Sequence, residues 1–335
     1  MSIVRSKNSK RRKRVGTIFK RCLLAGVLLV TVNLAAGEGR AQTEDTSDII
    51  RVNTDLVIFD AQVINKKTKH AVSDLKKEDF GIVEAGVKQQ IGYFSRDELP
   101  LSIMLVLDVS RSVRPILHEI RDGALNALQQ LKSQDEVAVL AFANRPELVQ
   151  DFTRDRKLVA EKIKEATGTD HLGPGTFLDE ALLKAITRMQ HASSPSSRRV
   201  IIVVTDNIAG HTKTLQKEVL AGLFDTGTVV YGLIVRAAIG KAFNIMFLGL
   251  IRGVNEYVDE TGGEMLGAGK TEVDARLAEI IDRLRARYTL GFKPTNTIED
   301  GKFRRVEIKV TPGNKPDKNL VLVTKRGYYL RRRAK

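Results

Sequence analysis

Cysteine occurs once in the 335 residues, at Cys22, so no disulfide can form within the chain. Cys22 follows Lys20 and Arg21 rather than an apolar triplet, and removal of an N-terminal leader would take the thiol with it. The histidines are His70, His118, His171, His191 and His211, and no two stand at a metal-binding spacing. His171 lies five residues before Thr176 and reads as a solvated loop residue. No G-x-S-x-G elbow is present, which removes the usual sequence mark of a Ser-His-Asp hydrolase. G-A-G-K-T at 267–271 lacks the glycine that a phosphate loop places five residues before its Gly-Lys pair, because that position is Glu264 and Gly263 is one residue out of register.

A basic surface stripe is also lacking, despite a net charge of +15. Ahead of Ala41, ten Lys or Arg residues face Glu38 alone, a balance of +9 that leaves only +6 for the rest of the chain. That distribution argues against nucleic acid as a partner, which needs basic residues on a folded face. K-R-R-K-R is followed by the apolar run Cys22–Ala36 and then by G-E-G-R-A-Q, with small residues at Gly39 and Ala41. A positive segment, a fifteen-residue apolar core and small residues before a cut describe a secretory signal peptide over residues 1–41. The core is short for a membrane span. The expectation is export to the periplasm, cell surface or exterior. The alternative is an uncleaved anchor in which residues 22–36 hold the protein to the inner membrane, the only membrane contact foreseen.

What the sequence does contain centres on Leu101–Ser112, L-S-I-M-L-V-L-D-V-S-R-S. A run of mostly apolar residues with no helical period, ended by Asp108, predicts a strand buried on both faces of a parallel sheet. Asp108, Ser110 and Ser112 alternate with Val109 and Arg111, so their oxygens project to one side of an extended or gently turning segment. Oxygen donors grouped this way suit a hard divalent cation, Mg²⁺ or Mn²⁺. A phosphatase built on a strand-end aspartate needs a second acid two residues on, and Ser110 occupies that place.

This D-x-S-x-S resembles the metal-ion-dependent adhesion site of von Willebrand factor A domains. The resemblance extends to Thr176, in the Gly/Pro loop H-L-G-P-G-T-F-L-D-E-A-L that opens a helix, and to Asp206, which ends the second apolar strand R-V-I-I-V-V-T-D-N. Asp108, Ser110, Ser112, Thr176 and Asp206 are the implied metal ligands. In an open α/β sheet they would converge outside the carboxyl ends of the strands. Many A domains carry Gly after the last metal aspartate, where this chain has Asn207, a residue that also tolerates left-handed backbone.

Strands and helices alternate from about 99 to 287, which predicts a doubly wound, mainly parallel α/β sheet. Within it the spacing predicts helices over 113–132, 155–166, 177–191, 212–224, 242–260 and 272–287, with short strands at Leu148–Phe152 and Glu264–Leu266. Residues 49–97 and 288–330 instead show the period-two alternation of antiparallel strands. Neither flank has strands enough for a core, so the two are expected to combine into one β-rich, sandwich-like domain. D-L-K-K-E-D-F-G-I-V-E-A-G-V ahead of the A domain, with Y-T-L-G-F-K-P and R-G-Y-Y after it, resembles the exported bacterial VWFA-related proteins. The resemblance implies a binding protein, not an enzyme, whose ion meets an Asp or Glu of a protein partner in adhesion or assembly. Alternatives are a scaffold whose metal staples loops and, with no Glu or His well placed as a base, a metal-assisted hydrolase.

Overall fold

The structure, a computed structural model, describes residues 56–168, 171–193, 196–207, 213–235, 253–315 and 317–330. The leader expected over residues 1–41, Cys22, His211, most of the expected helix at 242–260 and the arginine tail lie outside them.

Six strands form the central sheet: β5 (Leu101–Asp108), β6 (Glu136–Phe142), β7 (Pro146–Thr153), β8 (Arg198–Thr205), β9 (Val229–Val235) and β10 (Met265–Ala268), in the order β10-β9-β8-β5-β6-β7. All pairings are parallel except β6 with β7. The apolar run of β5 has a direct reason. Leu101, Ile103, Leu105 and Leu107 pack with α1 (Leu117–Ala127), α2 (Arg156–Thr167) and α6 (Val273–Arg285) on one face. Met104 and Val106 pack with α3 (Leu178–Met189), α4 (Lys213–Thr226) and α5 (Asn255–Thr261) on the other. With both faces covered, a polar side chain at either parity would lose its water, so the alternation of a half-wet strand disappears.

Eight further strands form two four-stranded sheets, β13-β1-β11-β4 and β14-β12-β2-β3. Here β1 is Val57–Asn65, β2 Phe80–Glu84, β3 Val87–Gln89, β4 Ile91–Ser95, β11 Arg287–Phe292, β12 Phe303–Val310, β13 Leu320–Thr324 and β14 Gly327–Tyr329. Strands from both ends of the sequence therefore share each sheet. Phe59, Ile82, Leu290, Phe292, Val306 and Tyr328 meet in one core between the sheets, with the Phe59 and Tyr328 rings edge to face at 6.4 Å. The β2–β3 connection is a two-residue turn with positive φ at Ala85 (48°) and Gly86 (81°), the geometry that matches strand twist.

Three differences from the sequence expectation have local causes. The helix expected over 113–132 is three pieces: a 3-10 segment at Arg111–Ile116, α1, and a 3-10 turn at Leu128–Gln130. Pro115 lies inside the first piece and supplies no amide for helical bonding. β7 runs longer than Leu148–Phe152 because it follows β6 along the sheet edge, with register shifts near Val139. β10 sits later than Glu264–Leu266, at Met265–Ala268, where it registers with Gly232–Val235 of β9.

Candidate functional site

β5 delivers Asp108 to the carboxyl edge of the sheet, where the chain leaves the strand through Val109, whose amide donates to Phe142 O at 2.9 Å. Asp108 is fully buried. Its Oδ1 accepts from the Ser110 amide at 2.9 Å and its Oδ2 from the Thr205 hydroxyl at 2.6 Å. Burial is the main effect on this carboxyl and pushes it up to about 6; the bonds from Thr205 and Ser110 oppose the rise, and the nearby Asp206 charge adds to it. A buried carboxylate held by neutral donors alone is a group with capacity for a cation.

The Ser110 and Ser112 hydroxyls lie 3.2 Å apart, Ser110 buried and Ser112 half-buried. Two adjacent ligands of an octahedral ion with bonds of about 2.1 Å are separated by about 3.0 Å, so this pair fits neighbouring positions on one Mg²⁺-sized ion. The chemistry of the set is consistent with that: two carboxylates and three hydroxyls are all hard oxygen donors.

Thr176 is brought to this edge by a loop pinned at both ends. The Arg111 amide donates to Pro174 O at 3.3 Å, Asn144 N to Leu172 O at 3.0 Å and Phe177 N to Ala143 O at 2.9 Å. Gly175 N also donates to Asn144 Oδ1. A Cβ on Gly175 would overlap the Asn144 amide, and Gly173 has φ of 89°, so both glycines are required by the approach of the loop to the end of β6.

Asp206 follows Thr205 at the end of β8 and is partly buried. Asn207 adopts φ of 65°, the left-handed conformation expected of it, and its amide donates to Thr205 Oγ1 at 3.0 Å. Its side chain braces the loop from outside: Oδ1 accepts from Val254 N at 2.8 Å, and Nδ2 donates to Asn255 Oδ1 at 3.0 Å. A glycine at 207 could adopt this backbone without providing either bond.

The five residues singled out in the sequence thus sit on three segments joined at one sheet edge, with direct bonds linking the 108–112 segment to both of the others. Two contributors escaped sequence reasoning. Thr205, which ties Asp108 to the Asp206 segment, looked like one more β-branched strand residue. Asn144, which holds the Thr176 loop, had no signal beyond its place after an apolar strand. His171 is paired with Glu147 at 2.6 Å. In the G-A-G-K-T segment the Gly269 amide is taken by Glu272 Oε2 at 2.9 Å, so it is not open to a phosphate.

Residues 103–210 match the family model of the von Willebrand factor type A domain. Among solved structures, BatB from Bacteroides thetaiotaomicron is similar at 15% identity, over 55% of this chain and 98% of that one, with a TM-score of 0.45. A von Willebrand factor type A protein from Catenulispora acidiphila is similar at 12% identity, over 81% and 73%, with a TM-score of 0.46. Proximal thread matrix protein 1 from the mussel byssus, with a zinc-occupied MIDAS motif, is similar at 15% identity, over 60% and 49%, with a TM-score of 0.45. Residues 103–210, the segment that matches the von Willebrand factor type A domain, carry the aspartates, serines and threonine described above.

Proposed function

We propose that the protein is exported and recognises an acidic group on a protein partner through a divalent cation, Mg²⁺ or Mn²⁺, held by Asp108, Ser110, Ser112, Thr176 and Asp206. The observation that carries this reading is Asp108: fully buried, bonded to an amide and a hydroxyl, and at the sheet edge where the segments of Ser110, Ser112, Thr176 and Asp206 are joined.

Ser110, Ser112 and Thr176 would ligate through neutral hydroxyls, while Asp108 and Asp206 contribute the two negative charges, directly or through water. When bound, the ion supplies an electrophilic position that gains from a third carboxylate, which a partner would provide. Recognition follows from that charge deficit. In this reading both carboxylates serve the ion and His171 is engaged by Glu147, so no positioned base stands out among the described residues, and binding is favoured over hydrolysis. The scaffold alternative is weakened by the loops themselves, which Asn144, Asn207 and the Arg111 amide already join without a metal. Export rests on the pattern of residues 1–41. Residues 99–287 form the binding domain in this reading, and 49–97 with 288–330 the β-rich support.

The test is capture of partners by the exported protein from its own cell surface and medium, with Mg²⁺ or with chelator, for wild type and Asp108→Ala. The expected result is capture by wild type in Mg²⁺ alone. Equal capture by Asp108→Ala in chelator sinks the metal-mediated reading.

A further inference from the structure

Phe177, immediately after Thr176, is 46% exposed. The other large apolar side chains exposed among the described residues, Ile58, Val87, Tyr93 and Ile298, lie in the β-rich flanks. Phe177 occupies the N-cap position of α3, where a Ser, Thr, Asp or Asn would accept a hydrogen bond from the helix amides, and it makes no such bond. Nor does it add to the core, whose α3 contribution begins at Leu178. Its ring lies over the Thr176 loop, 3.2 Å from where a Cβ on Gly175 would sit. The position therefore forgoes both helix capping and burial, and such breaks of a local rule concentrate at functional surfaces.

Charge on the same rim points one way. Arg111, between the two serines, and Arg145, after Asn144, are exposed, and neither side chain has an ion pair among the described residues. Glu147, close in sequence, is hydrogen-bonded to the His171 ring at 2.6 Å. The three converging segments thus present an aromatic face and two uncompensated guanidinium groups around the Asp108 site.

Resting on the metal-dependent reading above, we propose that the partner's recognition element is an acidic segment interrupted by an apolar residue. One carboxylate faces the ion. An apolar side chain within a residue or two of it lies on Phe177, which directly adjoins Thr176, and further acidic groups meet Arg111 and Arg145. Such an arrangement joins a desolvated aromatic anchor to a rim of complementary charge, the division of labour common at protein interfaces.

The experiment uses the full chain and short fluorescent Gly/Ser peptides carrying one Asp, with either Leu or Ser beside it, and a third carrying Asp, Leu and two Glu. In Mg²⁺ the Asp-Leu peptide should bind about tenfold more tightly than the Asp-Ser peptide. Phe177→Ser should bring the two within about twofold while the Mg²⁺-induced rise in melting temperature persists, which separates loss of the anchor from loss of the fold or the ion. Arg111→Ala combined with Arg145→Ala should weaken the Glu-bearing peptide and flatten its salt dependence. Equal binding of the Leu and Ser peptides by wild type, a preference that survives Phe177→Ser, or no binding of any peptide would each overturn the proposal. Retention of the Leu preference in chelator would instead overturn the metal-dependent reading and leave the Phe177 anchor standing.

Discussion

An aspartate stands at each end of the central sheet's strands, half-buried Asp60 of β1 at the amino end and buried Asp108 at the carboxyl end, and the two are treated in opposite ways. At the amino edge, Asp60 of β1 meets Arg198 at the start of β8, with Nε donating to Oδ2 at 3.1 Å, and Thr289 donates to Oδ1 at 3.1 Å. Arg287 crosses the same interface, donating to Tyr231 OH at 2.7 Å, Gly262 O at 2.9 Å and Asp60 O at 3.2 Å. Burial alone would raise the Asp60 carboxyl, but the guanidinium groups of Arg198 and then Arg287, with bonds from Arg198 and Thr289, hold it below the usual range. At the carboxyl edge, Asp108 is buried with hydroxyl and amide donors, no guanidinium and a second carboxylate nearby, and it rises. The difference separates a polar cluster that ties β1 to β8 by ion pairs from one held by neutral donors. Charge in the first is balanced within the chain; in the second no cationic side chain meets the carboxylate among the described residues.

The sharpest way to break this comparison is to remove Asp60. Asp60→Ala leaves Arg198 and Arg287, each 2% exposed, without their counter-charge, and should lower unfolding free energy by about 3–5 kcal/mol in denaturant titrations. A loss below about 1 kcal/mol would mean the amino-edge cluster is not charge-balanced as described. The pH dependence has a definite sign. Because the folded-state Asp60 value lies below 3.8, its stabilisation is present above that value and is lost as pH falls through the lower folded value, a loss that Asp60→Ala should not show.

A smaller effect sharpens the other side. With Mg²⁺ at ten times its dissociation constant, linkage gives about 1.4 kcal/mol of added stability, read as a rise in melting temperature. Asp108→Ala should abolish that rise. In metal-free buffer the same substitution should cost far less than Asp60→Ala, about 0–1.5 kcal/mol, since the hydrogen bonds lost from Ser110 and Thr205 are offset by removing a buried carboxylate without a counter-charge. Equal losses at the two aspartates would erase the distinction. The smallest expected effect lies at Asn207, where Gly keeps the φ of 65° but gives up the bonds to Val254 and Asn255. Asn207→Gly should cost about 0.5–1 kcal/mol, and Asn207→Ala more, because Ala adds left-handed strain to the same losses. A stabilised Asn207→Gly would show that the loop needs only the backbone conformation.

Much of this protein was determined by its sequence alone. Period and polarity are local properties, so uninterrupted apolar runs at Leu101–Leu107 and Val200–Val204 specified strands covered on both faces, and alternation in the flanks specified half-wet antiparallel ones. The D-x-S-x-S spacing grouped three oxygen-bearing residues on a short segment, and a helix-opening loop for Thr176 and a strand end for Asp206 pointed to the carboxyl edge of the sheet. Only the tertiary structure decided what those residues touch. Thr205 bonds to Asp108 across 97 positions of sequence, Arg198 to Asp60 across 138 and Arg287 to Gln62 across 225. Nothing local marks such pairs, because which arginine meets which aspartate depends on how two layers pack. Whether a carboxylate meets a guanidinium, as Asp60 does, or only neutral donors, as Asp108 does, follows from that packing and not from the identity of the residue.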